Sequence, residues 1–218
     1  MEGVPDMTTE ARITTPDLRD RRDELQATGD HARRLASPLT ARQLWWRPSP
    51  RRWSIGECLD HVVLAGEAYL DVLDPAIAVG WAEGRTARER ARPGLFGRAL
   101  LRGLEPPAKL RIPAPSRIRP RRPDPQEAEA GFRPGSQAGP LKRFLELRPR
   151  FTQRLEAADG LDLRRVRVRS PFVPLVTIDL DTALRILPSH ERRHLWQAEN
   201  VRRDDDFPAE DTAATMSA

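Results

Sequence analysis

Four histidines occur in the 218 residues, and two of them stand in the run His190-Glu191-Arg192-Arg193-His194. On a helix, four residues advance the chain by about 400°, so both imidazoles leave the same face. Two rings side by side can grip one metal ion, provided that a third ligand arrives from another element. His61 is the candidate for that third position. It lies two turns inside an apolar stripe, between Cys58 and Ala65. Taken alone, each of these histidines reads as well as a core residue hydrogen-bonded to a neighbour. Three inward histidines on two helices that can adjoin leave two readings open, a three-histidine metal site or a set of buried polar groups. His31 shares none of this logic and is expected at the surface.

Other residues near this face are candidates for supporting roles. Gln197, three residues after His194, is placed to bond substrate or bound water, or else to bridge two helices. Glu57, four residues before His61, is placed to act as a general base, or to close a capping box with Ser54. Asp60 and Glu191 adjoin the histidines in sequence but should point away from them. Cys58 sits on the apolar stripe, where a free thiol is normally buried and inert. The five tryptophans are expected to pack the core rather than to stack bases.

These residues require helices to hold them. Thr15-Pro16 reads as an N-cap with proline at the first helical position, opening a helix over about 16–36. Thr40 to Gln43 reads as a one-turn capping box. Ser54 and Glu57 mark the clearest helix start, and the stripe through Val62, Tyr69 and Leu73 carries that helix to about residue 78. A third long helix is expected from Pro140 to just before Gly160, bent at Pro149. The last should begin near Asp179 or Asp181 and reach about residue 203, with Pro188 either kinking it or delaying its start. Residues 165–178 look extended. Four long helices make an all-α four-helix bundle the expected fold, with a long Pro/Arg-rich insertion between the second and third helices. Ten prolines between positions 93 and 140 exclude a long helix there. The insertion, about 80–138, leaves room for a short helix between Pro93 and Pro106 and is otherwise a lid or a disordered loop. The domain is expected over 16–203, between a disordered lead at 1–15 and a disordered acidic tail at 204–218.

Charge narrows the partners. The chain carries 37 Lys+Arg against 32 Asp+Glu. Residues 85–122 hold a local excess of ten positive charges, and the tail holds five acidic residues with no basic one. No recognition-helix or RNA-binding motif accompanies the basic run, so nucleic acid is not the expected partner. Arg111, Arg117, Arg119, Arg121 and Arg122 either belong to a solvated loop, the first expectation, or attract an anionic substrate or thiol cofactor. One cysteine excludes a disulfide framework. No apolar run is long enough to span a membrane, and the first residues do not read as a secretory signal, so the expected compartment is the cytoplasm.

The segment Trp46-Arg47-Pro48, followed by Trp53-Ser54-Ile55-Gly56-Glu57-Cys58-Leu59-Asp60-His61, resembles the N-terminal signature of the DinB-like superfamily. Pro188-Ser189-His190-Glu191-Arg192-Arg193-His194-Leu195-Trp196-Gln197 resembles its C-terminal signature, in the same order and at a matching separation. The resemblance covers about residues 16–203. It implies a four-helix bundle with a divalent metal on His61, His190 and His194, zinc first, with nickel, iron or manganese as alternatives. Relatives include S-transferases that use low-molecular-weight thiols such as bacillithiol, a mycothiol-dependent isomerase, and members without an assigned reaction. The implied function is a metal-dependent enzyme of S-transferase or hydrolase type, acting on a small anionic or thiol-containing substrate, with a homodimer as one assembly. The competing expectation is a non-catalytic bundle in which the metal staples two helices.

Overall fold

In the computed structural model, residues 13–87, 94–107, 114–124, 139–173 and 175–209 are described. The first helix, α1, spans Pro16–Ala36, with proline in its first turn where the missing N–H has no partner to lose. Thr15 provides no side-chain cap. Instead the Asp159 carboxylate accepts the backbone N–H of Thr14 at 2.7 Å and that of Thr15 at 2.8 Å, pinning the helix entrance from across the bundle. The one-turn α2, Ala41–Trp45, opens with the expected Thr40/Gln43 capping box. A second capping box, between Ser54 and Glu57, starts α3 (Ile55–Ala82). This helix runs through Pro75 and past the expected end near residue 78.

Part of the insertion is folded. It forms α4 (Leu95–Leu104) and a 3-10 turn at Ser116–Ile118; its residues 88–93, 108–113 and 125–138 lie outside the described residues. α5 spans Pro140–Ala157 and contains Pro149. The extended stretch becomes a small antiparallel pair, β1 (Arg167–Arg169) with β2 (Thr177–Asp179), in the register Val168 opposite Ile178. Asp179 then caps the Thr182 amide at 2.8 Å and starts α6, Leu180–Arg202. Pro188 neither delays nor ends this helix. Its ring is buried, and the packing around it holds the turn whose backbone bond the proline removes.

The four long helices α1, α3, α5 and α6 form the bundle. α1 and α3 each pack against both α5 and α6, so they occupy opposite corners. Leu18, Leu59, Leu73, Phe144, Phe151 and Leu187 are among the fully buried side chains at its centre. Each contributes about 1.5–3 kcal/mol by leaving water. The short α4 lies on α6, and the approach is close at Gly97. A Cβ there would stand 2.3 Å from the Thr182 hydroxyl oxygen, so only glycine permits this packing.

The ends differ from expectation where they are described. Residues 204–209 dock on the bundle: Phe207 packs edge-on against Trp46 at 5.6 Å, and Gln43 donates to the Pro208 carbonyl at 3.0 Å. The remainder of the acidic tail and residues 1–12 lie outside the described residues. Among those described, no helix is long and apolar enough to cross a membrane.

Candidate metal centre

His61 projects from α3 two turns beyond its cap, and His190 and His194 project from one face of α6 toward it. The facing of α3 and α6 brings the three rings together. The Nε2 atoms of His61 and His190 are 3.2 Å apart, and those of His190 and His194 are 3.0 Å apart. All three donor nitrogens lie within 4.8 Å of one another.

The proton position on His61 follows from its partner. His61 Nδ1 lies 2.7 Å from the carbonyl oxygen of Ile118, in the 3-10 turn of the insertion. A carbonyl only accepts, so Nδ1 carries the proton and Nε2 presents a lone pair to the cluster. The Trp53 indole covers the same rings, with its centroid 4.8 Å from His61 and 5.8 Å from His194. Burial lowers the pKa of all three imidazoles. For His61 the Ile118 bond opposes that effect and the nearby Arg193 charge adds to it. His190 is pushed down to about 3, by burial first and then by His61 and Arg193. His194 falls well below its ordinary value for the same reasons. At neutral pH the cluster is therefore three neutral rings, the form that binds metal.

The residues fit a metal ion. Nitrogens about 2.05 Å from a tetrahedral zinc lie about 3.3 Å from each other. The observed 3.0 and 3.2 Å are close to that spacing. His61 Nε2 has no proton to give, and with His190 and His194 protonated at Nδ1 as well, the three inward nitrogens would present lone pairs that cannot satisfy one another. A cation would satisfy all three. No Cys, Asp or Glu joins the cluster among the described residues, so one side of it stays open.

That side faces a cavity of about 1140 Å³ between α3, α4, α6 and the hairpin, lined in part by Tyr69, Leu100, Phe172 and Gln197. A family model described as the DinB superfamily matches residues 24–198, a span that holds all three histidines and both helices that carry them. The chain belongs to the DinB superfamily. No curated protein and no solved structure matches it significantly.

Within this DinB-superfamily bundle the remaining candidates separate clearly. Gln197 lines the cavity one turn beyond His194 and interacts with that ring, opposing the fall in its pKa. His194 Nδ1 itself is buried without a hydrogen-bond partner. Glu57 does not line the cavity. One carboxylate oxygen accepts the Ser54 amide at 2.9 Å and the Arg47 Nε–H at 2.7 Å, and the other is bonded by the same guanidinium. Its geometry is that of a helix cap held by an ion pair, not of a base facing substrate. Cys58 lines the cavity but is buried, and desolvation pushes its thiol pKa up, so it stays protonated. Asp60 turns to Arg143 at 2.5 Å, and burial raises its carboxyl to about 6 against that pull. Glu191 is fully buried against Arg148 and Thr28. His31 is half-buried rather than free at the surface, 2.8 Å from Glu199.

Sequence reasoning missed two supports of the centre. Trp53 was expected only to fill the core, yet it stacks on the cluster. The Ile118 carbonyl was invisible, since a backbone acceptor leaves no mark in side-chain types. Arg193 was missed as well: it lines the cavity and donates to the Gly103 carbonyl at 2.7 Å, tying α4 to α6. Among the arginines of the insertion, Arg119 lines the cavity, Arg117 bonds the Pro171 carbonyl, and Arg111 lies outside the described residues.

Proposed function

We propose that this protein is a metal-dependent enzyme of the S-transferase or hydrolase type, with a divalent ion on His61, His190 and His194. Zinc is the ion first expected, with nickel, iron or manganese as alternatives. The observation that carries this reading is the convergence of three neutral ring nitrogens with their open side on a large cavity. A closed structural site would need a fourth protein ligand at that position. When bound, such an ion supplies the Lewis acidity that makes a thiol or a water nucleophilic near neutral pH.

The chain's own groups serve that chemistry in separate ways. The Ile118 carbonyl holds His61 in one tautomer and one orientation. Trp53 shields the rings from bulk water, which strengthens every charge interaction at the centre. Gln197, on the cavity wall beside His194, is placed to hydrogen-bond a substrate or the attacking group. A low-molecular-weight thiol as co-substrate distinguishes the transferase reading from the hydrolase reading, because both use the same centre.

The test is a paired screen of the zinc-loaded protein, with thiol conjugation of an electrophilic fluorophore using several low-molecular-weight thiols, and ester hydrolysis without thiol. Turnover in one arm, lost in His61→Ala, is expected. Turnover in neither arm by fully loaded protein contradicts the enzyme reading and favours the metal as a staple between α3 and α6. In that case His190→Ala lowers the melting temperature and changes nothing else.

A further inference from the structure

The cavity over the three rings has a one-sided charge. No aspartate or glutamate lines it among the described residues, whereas Arg51, Arg52, Arg119 and Arg193 do. Two of these are engaged within the fold, Arg52 with Asp204 at 2.8 Å and Arg193 with the Gly103 carbonyl. Arg51 and Arg119 are exposed and have no ion-pair partner among the described residues. Both lie next in sequence, or nearly so, to groups that touch the histidines. Arg51 stands two residues before Trp53, whose indole covers His61 and His194, and Arg119 follows Ile118, whose carbonyl holds His61.

Much of the remaining lining is apolar. Tyr69 of α3, Phe96 and Leu100 of α4, and Phe172, Val173 and Ile178 of the hairpin region line it. Phe96 and Val173 are 62% and 52% exposed although they line a cavity, so they stand at its mouth in contact with water. Leu175, beside the lining residue Val176, is 97% exposed. Apolar surface left wet at a cavity mouth gains free energy when an apolar ligand covers it. The volume of about 1140 Å³ is ample for a ligand the size of a fatty acid.

We propose that this cavity binds an amphipathic organic anion, with its carboxylate or sulfonate at Arg51 and Arg119 and its apolar body along Phe96, Leu100, Phe172 and Val173. Guanidinium groups suit planar or trigonal oxyanions, and the absence of lining carboxylates removes any competitor for them. As the substrate class of the metal centre this rests on the function proposed above, but the binding itself requires no metal.

The test is isothermal titration of the purified full-length protein with decanoate, decanesulfonate, 1-decanol, decyltrimethylammonium and butyrate. Metal content is measured on the same samples, and the series is repeated after chelation. Decanoate and decanesulfonate should saturate one site, with decyltrimethylammonium at least about tenfold weaker because its cation meets arginines, and butyrate at least about tenfold weaker because each buried CH₂ is worth about a factor of four. The Arg51→Gln/Arg119→Gln double variant, at two exposed positions, should weaken both anions about five- to tenfold and leave decanol unchanged. Val173→Glu, at the exposed mouth, should weaken the anions and decanol together. Equal affinity for the cationic and anionic amphiphiles, indifference of the anions to the double variant, or no anion binding would each overturn the proposal. Metal bound without any anion binding leaves the metal reading standing and removes this one; anion binding by protein that takes up no metal does the reverse.

Discussion

His61 and Ile118 are 57 positions apart, yet the ring Nδ1–H of His61 donates to the Ile118 carbonyl at 2.7 Å. This bond makes the insertion part of the candidate metal centre: it fixes the tautomer that turns the Nε2 lone pair toward His190 and His194. The carbonyl is held in place because the Ile118 side chain is buried against the bundle. Ile118→Gly should therefore loosen the 3-10 turn and lower metal affinity by about tenfold or more, the usual effect of losing a group that orients a ligand. Competition titration against a chromogenic chelator reads the affinity, and circular dichroism should show the helix content unchanged. An unaltered affinity would mean that the bond does not orient the ring.

The Glu191–Arg148 pair is a second relationship with a measurable consequence. Glu191 is fully buried, and Arg148 and Thr28 reach it from α5 and α1. Burial raises the Glu191 pKa, and Arg148 and Thr28 pull against that rise. Arg148→Met alone should cost about 3 kcal/mol, because it strands a buried carboxylate. The Arg148→Met/Glu191→Met double variant should recover most of that loss. Urea unfolding of the two variants and wild type checks this. A double variant as unstable as the single one would show instead that the ion pair is a net source of stability.

How far these features were readable from sequence depends on what kind of atom makes them. The helix starts at Pro16, Ile55 and Pro140 were legible, because proline in a first turn and the Ser54/Glu57 box act through local side-chain chemistry. The histidine pair on α6 was legible through its spacing, and His61 through its place on an apolar stripe. The Ile118 carbonyl and the Asp159 anchor of Thr14 and Thr15 were not, since each depends on segments brought together only by the fold. Of the two readings of Pro188, a late start is excluded by the helix beginning at Leu180, because packing and not local propensity decides whether a buried helix continues. Glu57 was ambiguous between cap and base. Arg47, ten residues earlier, decides it by occupying the carboxylate.

Asp159 gives a pH-dependent prediction. Burial pushes its pKa up, but bonds from Thr14 and Thr15 more than offset this, so its carboxyl titrates below the ordinary value. A depressed native pKa contributes stability above the unfolded value of about 3.9 and loses it as pH falls through the lower native value. Asp159→Asn should therefore lower the melting temperature at pH 7. The gap from wild type should close as the pH drops below about 3.9. Thermal melts of both proteins between neutral and strongly acidic pH test this. A gap independent of pH would assign the effect to lost hydrogen-bond geometry and not to the charge.

The central claim is that His61, His190 and His194 hold one divalent ion, and metal content by plasma mass spectrometry tests it most directly. Wild-type protein, purified and then incubated in turn with zinc, nickel, iron and manganese and desalted, is measured beside His190→Ala/His194→Ala. About one ion per chain in wild type, absent from the double variant while its helix content is retained, is the predicted result. Wild type that retains none of the four ions, or a double variant that retains as much as wild type, would contradict it.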